Sequence, residues 1–165
     1  MFRKIRRKTV DEIIEDNLDY LVRFAYYRLN DKAEAEDIVY EGVLRLLEKD
    51  LSKINPESIR LYLFRIIYNL CQDRIRGTGR DMIPIESVDI SENPDEQNEM
   101  DESDKFMIWL NSLPEGQSEI IRMNVIEELS FVEISEILSI PASTAKSRYK
   151  SGMEKLRKIF KATNN

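Results

Sequence analysis

Hydrophobic residues recur at helical spacing through the first part of the chain, which predicts three amphipathic helices. The first begins at Thr9 and Glu12, whose spacing is that of a capping box. The second is expected over about residues 34–49, and the third over about 57–76, after a turn at Asn55. The apolar residues expected to pack are Val10, Ile13, Ile14, Leu18, Leu21, Val22 and Ala25 in the first helix, Ile38, Val43, Leu44 and Leu47 in the second, and Leu61, Leu63, Phe64, Ile66, Ile67 and Leu70 in the third.

The last third of the chain holds a helix-turn-helix pattern. Ser130 and Glu133 repeat the capping-box spacing at the start of a short apolar-periodic segment, and Pro141 restarts the chain as a second helix that reaches about Phe160. A short helix, a tight turn and a basic second helix, in this order, are typical of proteins that read duplex DNA. The apolar residues of the short helix are Phe131, Ile134, Ile137 and Leu138.

The second helix of this pattern has two faces when its residues are placed at about 100° intervals. One face is apolar and is expected to pack. The centre of the other lies roughly 120° away, and its small hydroxyl residues and lysines suit insertion into a major groove. A solvated basic helix is the alternative interpretation. The packing face comprises Ala145, Tyr149, Met153 and Leu156, and the DNA-facing one comprises Ser143, Lys146, Ser147 and Lys150.

The net charge of −6 comes from the segment 81–104, which holds ten acidic residues and no Lys or Arg. The rest of the chain then has 25 basic and 21 acidic residues. Such a segment predicts a flexible acidic linker between two small helical domains, 1–80 and 105–165, in an all-α fold. Whether it is a solvated spacer or occupies a basic channel on a partner stays open.

Composition weighs against an enzyme. The 165 residues include no histidine, and Cys71 is the single cysteine, so neither a His-based triad nor a His-ligated metal is expected. The phosphate-binding loop motifs of nucleotide-dependent enzymes do not occur. We therefore expect no catalytic residue, cofactor or metal. A charged N-terminus and the lack of a long apolar run predict a cytoplasmic protein with no membrane insertion.

Two charged surfaces are predicted in the first domain. Asp37, Glu41 and Arg45 follow one another at i, i+4 spacing along the outer face of the second helix. In the third helix, arginines alternate with aromatic residues, a combination that suits unstacked single-stranded bases. Taken alone, both features have an ordinary explanation, because charged stripes are usually solvated and aromatic residues usually fill cores. The residues of the third helix are Arg60, Arg65, Arg74 and Arg76, with Tyr62, Phe64 and Tyr68.

Three segments together, 35–45, 62–76 and 113–160, resemble the extracytoplasmic-function class of bacterial RNA polymerase sigma factors of the sigma-70 family. They occur in the family's order, are joined by a variable linker, and cover most of the chain. The resemblance implies a protein that directs core RNA polymerase to promoters, reads the −35 duplex and the −10 element, and initiates transcription. Its implied partners are core polymerase, promoter DNA and, in some members, an anti-sigma factor.

The resemblance also implies roles for particular residues. The helix with the charged stripe matches the one that binds a coiled coil on the largest polymerase subunit. Asn69 matches a position of −10 recognition, where a base is extruded from the opened strand, and the loop at 51–55 forms part of that pocket. The residues implied are Asp37, Glu41 and Arg45 for polymerase, Asn69, Arg65, Arg74 and Arg76 for the −10 element, and Ser143, Thr144, Lys146, Ser147, Arg148 and Lys150 for the −35 element.

Some positions depart from the family pattern. Tyr40 to Val43 replace the usual Gln-Glu-Thr-Phe, and Tyr62 stands where Trp is common. Ser151 and Gly152 fall where the family often has Arg, and a glycine within a helix is expected to cost about 0.5–1 kcal/mol.

Two other classes of protein fit parts of the pattern. A stand-alone transcriptional regulator would bind an operator through its helix-turn-helix and sense or dimerise through the first domain. A helical interaction protein would dock the basic helix on acidic partners. Association with core polymerase distinguishes the sigma-factor interpretation from both.

Overall fold

The computed structural model describes residues 7–78 and 102–164, and the chain divides into two compact units, Met1–Met82 and Ile83–Asn165. The described residues form helices and turns and contain no strand, which confirms the all-α prediction. The predicted linker 81–104 lies outside the described residues except for its last three positions. Those three positions begin a helix at Glu102.

The first unit contains three long helices: α1 (Val10–Leu29), α2 (Lys32–Leu47) and α3 (Ile59–Thr78). Each packs against the other two. The predicted capping box at Thr9 is present, and α1 ends at Asn30, which has a left-handed backbone (φ 54°). Two single 3₁₀ turns, Leu51–Lys53 and Pro56–Ser58, connect α2 to α3. The helix boundaries therefore lie within about two residues of those expected from the sequence.

The buried face of α2 differs from the predicted one. Leu44 and Leu47, expected to pack, are 44% and 47% exposed, while Leu46 is fully buried. The reason is the close approach of α2 to α3 at Gly42, where an added Cβ would lie 2.8 Å from Cγ1 of Ile67. This contact turns the face that contains Gly42 inward. Leu18 of α1 was also expected to pack and is 38% exposed.

Buried polar groups join α1 to α3. Arg60 Nε donates to Asn17 Oδ1 at 2.9 Å, and Asn17 Nδ2 donates to the Ile13 carbonyl at 2.8 Å. The Arg28 guanidinium lies between the rings of Phe24 and Tyr68, 4.8 and 4.5 Å from their centroids. These contacts fix the relative rotation of α1 and α3, because each needs a particular pair of faces to meet.

Cys71 is buried in this core and free, as expected for a small packing residue. Burial raises the pKa of the Cys71 thiol to about 11, although the nearby charges of Arg28 and Arg74 act in the opposite direction.

The second unit contains α4 (Glu102–Asn111), α5 (Glu115–Ile121), α6 (Phe131–Leu138) and α7 (Ala142–Thr163). A π-helical turn, Arg122–Ile126, continues α5. The capping box at Ser130 is present, and Ser139 (φ 56°) ends α6 in the left-handed conformation. The helix-turn-helix predicted from the sequence is therefore confirmed.

The predicted packing face of α7 is confirmed as well. Ala145 and Leu156 are buried, Tyr149 and Met153 pack against the core cluster, and Tyr149 meets Phe131 edge to face at 5.2 Å between centroids. Gly152 lies where α7 crosses α5, and an added Cβ would be 2.6 Å from Ile121 Cδ1 and 3.2 Å from Gln117 Cβ. The glycine in this helix thus permits the crossing, so its lower helix propensity is offset by closer packing.

We predict that Gly152→Ala destabilises the protein by about 1 kcal/mol net, because the methyl group must displace a fully buried isoleucine. Overpacking of this kind costs about 2 kcal/mol, and the better helix propensity of alanine returns roughly 1 kcal/mol of it. Urea unfolding of the full chain, followed by circular dichroism, measures the change.

Gly77→Ala is the matched control, because no described atom lies within 4 Å of the position of its Cβ. It should be neutral or stabilising by up to about 1 kcal/mol. A Gly152→Ala protein at least as stable as the wild type would contradict the close crossing.

Candidate nucleic-acid and polymerase interfaces

The exposed face of α7 brings together four of the six residues predicted to read duplex DNA. Ser143, Lys146, Ser147 and Lys150 are all exposed. The turn before them is compact, since the amide of Ile140 donates to the Ser135 carbonyl at 3.1 Å. A rigid turn sets the angle at which the start of α7 leaves the body of the unit, as a recognition helix requires.

Thr144 and Arg148, also predicted for this site, lie on another side of α7. Thr144 is half-buried. The Arg148 side chain lies over Gly116 in the first turn of α5, with Nη1 3.7 Å from where a Cβ on that glycine would be. At about 100° per residue, both positions are more than 90° from the centre of the lysine face. Arg148 is nevertheless exposed, so this contact leaves part of its side chain accessible to solvent.

The exposed face of α3 carries three of the four residues predicted for the −10 element. Arg65, Asn69 and Arg76 are exposed and fall within an arc of roughly 40°. Arg76 Nη2 bonds to Asp73 Oδ1 at 2.8 Å. Tyr62 is half-buried beside this arc, and the Lys49 ammonium lies 5.2 Å from its ring centroid.

Arg74 is the exception, because it lies on the opposite side of α3. Its Nη1 forms an ion pair with Glu34 Oε1 of α2 at 3.2 Å, and both side chains are partly buried. The pair joins the two helices.

The aromatic residues of α3 divide in the same way. Phe64 is fully buried and meets Phe24 edge to face at 5.4 Å. The Tyr68 ring packs on Arg28, and its hydroxyl accepts a hydrogen bond from Gln72 Nε2 at 3.2 Å. The ordinary explanation, core filling, thus holds for Phe64, and of the three only Tyr62 lies beside the exposed arc.

The loop at 51–55 precedes α3 and is held by its own polar side chains. Asp50 Oδ1 accepts from the amide of Ser52 at 3.2 Å, and Asn55 Oδ1 accepts from the amide of Glu57 at 3.3 Å. Short side-chain to backbone bonds of this kind stabilise turns.

The outer face of α2 combines charge with exposed hydrophobic surface. Asp37 is exposed, and Arg45 Nη2 bonds to Glu41 Oε1 at 2.7 Å. A groove of about 440 Å³ between α2 and α3 has Glu41 and Arg45 on one wall and Asp73 and Arg74 on the other.

Beside Asp37 lies an exposed apolar stripe formed by Tyr40, Leu44 and Leu47. Tyr40 is 68% exposed. The sequence contains a signal for the stripe, because these three residues follow i, i+4, i+7 spacing. The same spacing also fits a buried face, which is why the sequence predicts Leu44 and Leu47 to pack in the core. Exposed apolar residues in a row mark a docking surface more often than chance.

The structure contains no group of acidic, Cys or His residues fit to hold a metal ion within 7–78 and 102–164. Within those same ranges, no helix is long and apolar enough to cross a membrane.

Comparison with known protein families gives two matches. Residues 13–81 match Sigma-70 region 2, and residues 109–158 match Sigma-70 region 4. The first match covers α1, α2 and α3, and the second covers the helix-turn-helix.

Individual relatives agree with these matches. The chain is 30% identical over 162 residues to the ECF RNA polymerase sigma factor SigW of Bacillus subtilis, and the alignment covers 89% of this chain and 86% of SigW. It is 27% identical to the ECF RNA polymerase sigma factor SigE of Mycolicibacterium smegmatis, where the alignment covers 89% of this chain and 60% of SigE.

Among solved structures, the sigma factor RpoE of Bartonella quintana, determined in complex with the anti-sigma factor NepR, has the same fold. The TM-score is 0.65 with 22% identity, and the alignment covers 92% of this chain and 98% of RpoE. With both regions matched in order and a relative similar over nearly its whole length, the chain belongs to the extracytoplasmic-function class of sigma-70 family RNA polymerase sigma factors.

Proposed function

We propose that this sigma factor uses three exposed helical faces: that of α2 for core polymerase and that of α3 for the −10 element in the first unit, and that of α7 for the −35 element in the second. The observation that carries the proposal is that each of these helices buries one face in its own unit and leaves a chemically distinct face exposed. The functional domains proposed are 1–80 and 105–165, joined by the acidic segment 81–104.

For the −35 element, Ser143, Lys146, Ser147 and Lys150 contact the major groove. The hydroxyl residues are short enough for the helix to approach the bases, and the lysines reach guanine acceptors or phosphates. Thr144 and Arg148 flank this face and remain part of the proposed −35 site, and the Arg148 side chain also lies over Gly116 of α5.

For the −10 element, Asn69 offers its amide to an extruded base, and Arg65 and Arg76 hold the backbone of the unpaired strand. An amide can both donate to and accept from a base edge, and guanidinium groups neutralise phosphates. Arg74 contributes indirectly, through its ion pair with Glu34, by fixing α3 against α2.

For core polymerase, the apolar stripe Tyr40, Leu44 and Leu47 supplies buried area, and Asp37 with the Glu41–Arg45 pair supplies charge at its edge. An interface with an apolar centre and a charged rim is the usual arrangement in protein complexes.

The remaining parts of the proposal concern its setting. The protein acts in the cytoplasm together with core polymerase and promoter DNA, and an anti-sigma factor is a further partner, as in the complex of RpoE with NepR. The chemistry of RNA synthesis belongs to the polymerase. A stand-alone regulator is disfavoured, because Sigma-70 region 2 accounts for the first unit.

Lys146→Ala and Lys150→Ala should each weaken binding to a −35 duplex. A lost bidentate base contact costs about 1–3 kcal/mol, whereas a lost phosphate contact lowers the salt dependence instead. Fluorescence anisotropy at several salt concentrations separates the two cases. Lys155→Ala removes an exposed lysine from another side of α7 and should have little effect. Unchanged affinity in both test variants at low salt would refute the assigned face.

Leu44→Asp should reduce association with core polymerase at least tenfold, about 1.4 kcal/mol, because a carboxylate is placed at the apolar centre of the contact. The thermal melt should hardly change, since Leu44 is already exposed. Leu18→Asp, in α1 of the same unit and 38% exposed, serves as the control and should bind normally. Equal losses in the two variants would show that the stripe has no special role.

Asn69→Ala should lower transcription from duplex promoters and be partly rescued on a template already mismatched at the −10 element, because premelting removes a few kcal/mol of unpairing cost. Arg74→Ala should behave differently and lower the unfolding free energy by about 1 kcal/mol, because it breaks a partly buried ion pair. Runoff transcription on the two templates and urea unfolding measure these effects. A silent Asn69→Ala on duplex promoters would contradict the −10 assignment.

A further inference from the structure

The basic side chains on the DNA-facing side of α7 continue well beyond the residues assigned to the −35 element. Lys146, Lys150, Arg157 and Lys161 fall within a sector of roughly 60° around the helix axis. All four are exposed, and none forms an ion pair within the part of the chain that the structure describes. At a rise of about 1.5 Å per residue, the row is roughly 22 Å long.

A recognition helix contacts base edges with its N-terminal residues, so the C-terminal end of α7 leaves the major groove, which in B-form DNA is about 12 Å wide. When Lys146 and Lys150 lie at the base edges, the C-terminal half of the row is therefore at or beyond the ridge of phosphates that borders the groove. We propose that Arg157 and Lys161 bind phosphates of the duplex that flanks the −35 element, an inference that rests on the proposed function of Lys146 and Lys150.

The composition of the sector favours DNA over a protein partner. It contains Ser143 and the four basic residues, and no apolar residue lies within it. Protein interfaces have aromatic and apolar centres and are poor in lysine, whereas phosphate contacts need little besides exposed positive charge. Phe160, the large exposed apolar residue of this part of α7 (53%), lies outside the sector, and its ring meets Trp109 of α4 edge to face at 5.9 Å.

Glu154, the single acidic residue of α7, lies at the edge of the sector. Because Glu154 lies between Lys150 and Arg157 along the helix, its negative charge makes the middle of the row less positive than the two ends. Phosphate binding by this row thus has two separate parts: Lys146 and Lys150 near the bases, and Arg157 and Lys161 on the flank.

The test compares two double variants with the same change in charge. Arg157→Gln with Lys161→Gln removes the flank contacts. Lys155→Gln with Lys158→Gln removes two exposed basic residues from other sides of the same helix. Binding of polymerase holoenzyme, assembled with the full chain, to a promoter duplex is measured as a function of salt concentration, together with its preference for the −35 sequence over a scrambled one.

For the flank variant, the slope of log K against log salt should fall by about 0.9 for each lost phosphate contact, or about 1.8 in all, with an unchanged preference for the −35 sequence. The control variant should keep the wild-type slope. Duplexes are also shortened up to the −35 element, from one end or from the other. The difference in salt slope between wild type and flank variant should disappear on the duplex that lacks the phosphates bound by Arg157 and Lys161.

An unchanged slope in the flank variant, or an equal change in the control, would overturn the inference. A loss of core association in the flank variant would overturn it too, in favour of a polymerase contact. A different result would refute the proposed function itself, namely a Lys146→Ala protein that binds the −35 element as tightly as the wild type. If Lys146→Ala loses −35 binding while the flank variant keeps the wild-type salt slope, the proposed function stands and only the flank contact is refuted.

Discussion

In each unit, a glycine on one helix leaves room for an isoleucine side chain of a neighbouring helix. Gly42 lets α2 reach Ile67 of α3, and Gly152 lets α7 reach Ile121 of α5. Contacts of this kind admit only one rotation of each helix about its axis, because any other rotation places a larger side chain at the crossing. The faces left to solvent follow from that choice. Tyr40 and Leu44 face outward because Gly42 faces inward, and the lysine row of α7 is exposed because Gly152 and its neighbours are buried.

The same packing divides the arginines of the first unit between structure and function. Arg28 is enclosed by two aromatic rings and Arg74 is paired with Glu34, so both hold helices together. Arg65 and Arg76 lie on the outer side of α3, next to Asn69, and the ion pair of Arg76 with Asp73 is exposed to solvent, unlike that of Arg74 with Glu34. Charge on a helix therefore says little about nucleic-acid binding until the buried face is known, since a guanidinium stacked on a buried ring or paired with a partly buried carboxylate is already engaged.

Much of this architecture could be predicted from the sequence because the signals were local. Capping boxes at Thr9 and Ser130 fix helix starts through contacts within four residues. The packing face of α7 was predicted because its apolar and basic residues occupy separate arcs. The prediction for α2 was wrong at Leu44 and Leu47 because apolar residues occur on both sides of that helix. Only the tertiary contact at Gly42, which adds nothing to a count of hydrophobic residues, selects the buried side. The positions of Arg74 and Arg148 likewise depend on partners that are distant in sequence.

The buried thiol of Cys71 has a consequence for how the first unit can be observed. With a pKa near 11, roughly one thiol in ten thousand is ionised at pH 7, and thiolate is the form that reacts with alkylating agents. Reaction then has to wait for the surrounding helices to separate, in the way that a protected amide waits for opening before it exchanges with solvent. Because the chain has a single cysteine, its rate of alkylation reports the opening equilibrium of α1, α2 and α3 alone, inside the intact protein and without an engineered cysteine.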